Sequence, residues 1–141
     1  MQIMWQNFIA WRAAEGVDTV IDTYHYDERT AVQEVYPHGY HGVDKLGRPI
    51  YIERFGSLNV PRLFELTTQE RIVRHYIQEY ELLMKLKFPA CSAAKGERVV
   101  QGLTIFDMTH GSISTANSQT YGLCKLAAQV GSDYYPEIMG N

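Results

Sequence analysis

A chain of 141 residues carrying a net charge of −3 has room for one domain with a buried core, and it lacks the basic face that a nucleic acid or an anionic membrane surface attracts. Met1-Gln-Ile-Met-Trp-Gln has no basic segment ahead of a long apolar one, and no stretch approaches the roughly 20 apolar residues of a spanning helix, so neither a secretory leader nor a membrane span is expected. Cys91 and Cys124 are too few and too far apart to staple a small secreted scaffold, and they read as reduced thiols of a cytosolic protein.

In chain order, Ile3, Phe8, Ile9 and Trp11, then Val17 and Val20, predict short helices at the N-terminus, and Thr30 to Val35 predicts another, closed by Pro37. The segment Tyr36-Pro-His-Gly-Tyr-His-Gly-Val-Asp-Lys-Leu-Gly-Arg-Pro-Ile-Tyr51 combines a turn with a following strand. Asp44-Lys-Leu-Gly47 supplies the turn chemistry, Gly47 is free to take a positive φ, and Pro49 biases Arg48 toward an extended backbone, so a strand begins near Pro49 and runs through Ile50, Tyr51 and Ile52. Thr67-Thr-Gln-Glu70 has the capping-box pattern. Beyond it Val73, Tyr76, Ile77, Tyr80, Leu83 and Met84 recur at helical spacing, which predicts a long helix that Pro89 stops. Val73, Ile77 and Met84 are read as core packing ahead of cavity lining. Arg98 to Met108, rich in Val, Leu, Ile and Phe, reads as a strand buried on both faces. Gly111 breaks it, and Ser114 to Val130 returns to helical patterning. Helices between extended segments give an α/β fold, a sheet covered by helices with right-handed crossovers where strands are parallel.

Most candidate chemistries fall away on spacing. His25, His38 and His41 lie near Asp22, Asp27 and Asp44, yet no spacing matches a zinc motif, so they read as surface or capping histidines and no metal is expected. Gly111-Ser-Ile-Ser114 follows a strand and precedes a helix, but the G-x-S-x-G elbow and its downstream Asp and His are missing, which favours helix capping by Ser112 or Ser114. Neither a dinucleotide nor a nucleotide-phosphate loop occurs, and Asp107 at a strand end has no carboxylate partner. The chain is not read as an enzyme.

Ten tyrosines remain to be explained. Tyr40, Tyr51 and Tyr80 fall on a loop, the first strand and the long helix. Rings with hydroxyls suit a cavity that holds an ammonium headgroup and apolar chains, because the ring face attracts cations and the hydroxyl donates to phosphate. Composition alone favours the plainer alternative, buried tyrosines bonded to local carbonyls.

The Tyr36 to Tyr51 segment, Phe88-Pro-Ala-Cys-Ser92, Thr104-Ile-Phe-Asp107 and Tyr134-Tyr-Pro-Glu137 together resemble the CRAL-TRIO lipid-binding domain of phosphatidylinositol/phosphatidylcholine transfer proteins. The resemblance runs from about Trp5 to Gly140. It implies a CRAL-TRIO-type mixed sheet flanked by helices, with residues 1–35 the end of an N-terminal helical region and 36–141 the N-terminal part of the lipid-binding domain. It also implies that the fold is incomplete at the C-terminus and the chain truncated at both ends, since such domains carry further strands and a gating helix. Tyr40, Tyr51, Tyr80 and Thr104 match positions that line a phosphatidylcholine headgroup pocket, and Glu137 matches an acidic residue of a phosphatidylinositol site. Gly102 departs from the hydroxyl residue often found there, and a buried phosphate that loses one donor is weakened by about 1.5 to 3 kcal/mol unless water replaces it.

The function so implied is that of a monomeric cytoplasmic carrier, without cofactor, that exchanges phosphatidylinositol, with phosphatidylcholine as a second ligand, through transient contact with organelle membranes, the Golgi among them, or that of a non-functional fragment of such a carrier. Two alternatives stay open: a lipid-sensing or protein-interaction module, and a carrier of another hydrophobic molecule such as a sterol, squalene or tocopherol.

Overall fold

The computed structural model describes residues 2–111 and 118–138. Its elements in order are α1 (Gln2–Ala14), a 3-10 turn (Val17–Thr19), α2 (Val20–Thr23), α3 (Arg29–Val35), β1 (His38–Val43), β2 (Pro49–Glu53), a 3-10 turn (Phe55–Ser57), α4 (Val60–Leu66), α5 (Gln69–Leu82), a π turn (Leu83–Lys87), α6 (Phe88–Lys95), β3 (Leu103–Phe106) and α7 (Ser118–Tyr134). The predicted α/β class holds, as one mixed sheet of order β1-β2-β3 with helix α5 meeting it through side chains, the Tyr76 hydroxyl donating to Glu53 of β2.

The first hairpin follows from the turn residues. Asp44 Oδ1 accepts from the backbone N–H groups of Leu46 and Arg48, each at 2.8 Å, and Gly47 sits at φ 76°. Tyr40 lies not on a loop, as the sequence predicts, but on a strand: His38–Val43 pairs antiparallel with β2. Its glycines and histidines carry little strand propensity of their own, and the ladder with β2 supplies what local sequence does not. The register sets Tyr40 opposite Tyr51, and the parallel pairing of β2 with β3 sets Tyr51 beside Thr104.

Helix α5 starts one residue later than the capping box predicts. Thr68 is the cap, its Oγ1 accepting from the Arg71 N–H at 3.4 Å. Nor does Pro89 stop the helical rod. The π turn carries the chain from α5 into α6 with the Phe88 N–H bonded to the Leu83 carbonyl, and Pro89 falls in the first turn of α6, where a missing N–H is tolerated.

The long strand expected over Arg98 to Met108 shortens to Leu103–Phe106, and it is not buried on both faces: Phe106 is 61% exposed. Ser92 explains the late start. Its Oγ accepts from the Val99 N–H at 2.8 Å and donates to the Phe88 carbonyl at 2.7 Å, which fastens the segment to α6 before the sheet begins. Ser112 and Ser114, read as helix caps, lie outside the described residues.

One core cluster joins Val17, Val20 and Tyr24 to Ile77, Leu83, Phe88, Val130 and Tyr135, with Val73 and Met84 packed against it; a second gathers Val32, Tyr36, Leu63, Ile72, Tyr76 and Leu123. The core reading of Val73, Ile77 and Met84 therefore holds. Beneath the first cluster, fully buried Glu81 accepts from Arg12 Nη1 at 2.8 Å and from the Tyr135 hydroxyl at 2.9 Å, which ties α1, α5 and the end of α7 together.

Candidate functional site

The faces left over by this packing enclose a cavity of about 560 Å³. The sheet contributes Tyr40, Tyr51, Glu53, Thr104 and Phe106, with Gly102 just ahead of β3; α5 contributes Tyr76, Glu79 and Tyr80, with Leu83 one turn further on; α7 contributes Leu123, Cys124, Ala127 and Ala128. The positions 76, 79, 80 and 83 form one stripe of a helix, and small residues on α7 leave the space open.

Four of the five residues singled out from the sequence meet here. Tyr40, Tyr51 and Thr104 stand side by side across three strands, as one rung of the sheet, and Tyr80 faces them from α5. The Tyr40 and Tyr51 rings pack edge to face with centroids 4.9 Å apart. Tyr51 Oη is buried and has no hydrogen-bond partner. Burial pushes the Tyr40, Tyr51 and Tyr80 phenols above their ordinary value, so each stays a neutral donor at pH 7. Glu137 lies elsewhere. It is exposed and borders a separate hollow of about 410 Å³ with Met84, Phe88, Arg98 and Val100.

The sequence reading missed the acidic and tyrosyl members of the wall. Glu53, 8% exposed, accepts from the Tyr76 hydroxyl at 3.4 Å, and the Tyr36 hydroxyl lies 2.8 Å from that of Tyr76. Burial raises the Glu53 carboxyl above the usual range against the pull of the hydroxyls. Glu79, buried on the helical stripe, has the half-exposed Arg29 guanidinium at 3.5 Å. The signal was present in spacing: Glu53 is two residues beyond Tyr51 on a strand, and Tyr76 four residues before Tyr80 on a helix.

His38 is not a surface histidine. Its Nδ1 donates to the Tyr36 carbonyl at 2.7 Å, which leaves Nε2 as a buried acceptor without a partner. His75, 3% exposed, stacks on Tyr26 at 4.5 Å with both ring nitrogens unpartnered, and burial lowers its pKa to about 4. Among the described residues no group of His, Cys, Asp and Glu is arranged to hold a metal ion. Both cysteines are free thiols, and no described helix is long and apolar enough to cross a membrane.

A mixed sheet and helices around an apolar, tyrosine-lined hollow define a class of small-molecule binding domain, and the CRAL/TRIO domain family matches residues 33–141. The chain belongs to that family. Over 139 residues it is 41% identical to the SEC14 cytosolic factors of Yarrowia lipolytica and Kluyveromyces lactis, covering 99% of this chain and 28% and 46% of theirs. It is 39% identical over 136 residues to the phosphatidylinositol/phosphatidylcholine transfer protein SFH7 of Arabidopsis thaliana, covering 96% of this chain and 25% of that one. The chain thus spans between about a quarter and a half of the length of these relatives.

Proposed function

We propose that this chain binds a phospholipid, phosphatidylinositol or phosphatidylcholine, and contributes to its exchange between membranes. One observation carries the reading: Tyr40, Tyr51, Tyr80 and Thr104, drawn from β1, β2, β3 and α5, converge on one cavity, and the buried hydroxyl of Tyr51 has no protein partner. A buried donor left open is costly unless a ligand or water occupies it, and a headgroup phosphate is a strong acceptor. The names of the relatives, phosphatidylinositol/phosphatidylcholine transfer proteins among them, support the choice of ligand. Two buried acids, Glu53 on β2 and Glu79 on α5, line the cavity from its two sides and suit a headgroup that also carries a cation.

Transfer needs no bond breaking. A monomeric protein shields the methylenes that make free desorption slow, about 0.8 kcal/mol each, while the polar side chains replace headgroup hydration. A cavity of about 560 Å³ is of drug size, so a diacyl lipid reaches beyond it; Phe106, which both lines the cavity and is exposed, marks an apolar way out. Glu137, on its separate hollow, is the proposed contact for an inositol headgroup. Protein of this kind would work in the cytosol and touch membranes transiently, in keeping with relatives named cytosolic factors.

The volume alone also fits a compact hydrophobic ligand such as a sterol or tocopherol. Mass spectrometry of lipid extracted from the purified chain separates the two. Recovery of phosphatidylinositol or phosphatidylcholine in preference to bulk membrane lipid is the expected result; recovery of a sterol, or of no lipid, overturns the reading.

A further inference from the structure

The Tyr40 ring is already in contact with a cation. Lys87 Nζ lies over its face, 4.4 Å from the centroid. Neighbouring lysines take carboxylate partners, Lys85 with Glu81 and Lys95 with Glu97. Lys87 meets no carboxylate among the described residues, so the ring is its electrostatic partner. The π turn brings it there: Leu83 lines the cavity, and Lys87 lies one wide turn beyond it, at the outer end of the same stripe. Tyr40 borders the cavity and Lys87 does not, so the ammonium occupies, from outside the lining, a ring that the cavity also uses.

We infer that Lys87 is a specificity-determining residue that biases the cavity against headgroups bearing a quaternary ammonium. The inference rests on the phospholipid reading and deepens it. A ring attracts a cation through the negative charge on its faces. A cation fixed on the ring draws that density toward itself and repels a second cation brought to the same ring, the more so the less water lies between them. Choline brought to the Tyr40 ring pays this penalty. A headgroup with the same phosphate and no ammonium does not, and the attraction of Lys87 for phosphate is common to both. Removing the charge is therefore expected to favour choline lipid by about two- to tenfold, the range of one weak cation–π contact.

The test uses two short-chain probes below their micelle concentrations, dihexanoyl phosphatidylcholine and dihexanoyl phosphatidylglycerol, titrated calorimetrically into the purified chain. Lys87→Met keeps the aliphatic stem over the ring and loses the charge; Lys87→Arg keeps both. The expected result is a fall of about two- to tenfold in the ratio of phosphatidylcholine to phosphatidylglycerol Kd for Lys87→Met, with the ratio for Lys87→Arg unchanged. Lys87→Gln, checked for native circular dichroism, stands in if the methionine variant does not fold. An unmoved ratio in a protein that binds both lipids overturns the role of Lys87 alone. A wild-type chain that binds neither probe overturns the phospholipid reading and this inference with it.

Discussion

Tyr51 and Tyr76 are both buried phenols on the cavity wall, and they differ in what their hydroxyls do. Tyr51 Oη has no partner, whereas Tyr76 Oη connects Tyr36 to Glu53. Tyr51→Phe is therefore expected to leave the thermal melting temperature unchanged or slightly higher, while weakening phospholipid binding by about tenfold or more, the worth of a hydrogen bond to a charged acceptor. Tyr76→Phe removes a donor from a buried carboxyl and is expected to lower stability by about 1–3 kcal/mol in urea unfolding. Equal effects of the two substitutions on melting would show that Tyr51 has a structural partner after all. These roles were only half legible in the sequence. The three tyrosines and Thr104 stood out by resemblance, but nothing local distinguishes a tyrosine that bonds within the protein from one left open to a ligand.

The elements are held by contacts that the sequence reading passed over. Arg12 of α1 satisfies Glu81, whose side chain is 1% exposed, and Arg12→Met leaves that carboxylate with the Tyr135 hydroxyl and the more distant Lys85. A loss of about 3–5 kcal/mol is expected, read as a shift of the urea midpoint. Gly56 brings the end of β2 against the end of β3: its N–H donates to the Asp107 carbonyl at 3.0 Å, and a Cβ there would overlap the backbone carbonyls of Met108 and Thr109. Backbone cannot yield as a side chain does, so Gly56→Ala is expected to cost about 1–3 kcal/mol or more by the same assay. Turn chemistry made the β1-β2 hairpin loop readable, because Asp44, Gly47 and Pro49 act within a few residues of one another. Strand β1 was not readable, since His38, Gly39, His41 and Gly42 become a strand only by pairing with β2. The extent of β3 was overread for the converse reason: hydropathy marks Val99 and Val100 as strand-like and is blind to Ser92, which holds them to α6.

Across the whole molecule, pH acts chiefly through groups buried away from the cavity mouth. His75 falls from an ordinary value near 6.5 to about 4 when folded, because burial disfavours its charged form; His38 is lowered for the same reason. Between these values the unfolded chain binds the proton and the folded one does not, so stability is complete above pH 6.5 and is lost as pH falls toward 4. Glu28, held at about 2 by its hydrogen bond from Arg71, extends the loss from about 4.5 downward. Glu53, raised by burial, works the other way and offsets part of it. The His75 contribution is about 3 kcal/mol by linkage. Urea unfolding at a series of pH values from 7 to 4 is expected to show stability declining over that window, and His75→Phe, which keeps a ring against Tyr26, is expected to flatten the slope. A slope unchanged by His75→Phe would assign the pH dependence to other groups.

The rung formed by Tyr40, Tyr51 and Thr104 ties ligand recognition to parity. Side chains alternate between the two surfaces of a strand, so sliding β1 against β2 by a single position would turn Tyr40 away from the hollow together with every second neighbour. A length change between Val43 and Pro49 is therefore expected to silence the cavity only where it slips the ladder by an odd number of positions instead of being absorbed in the loop.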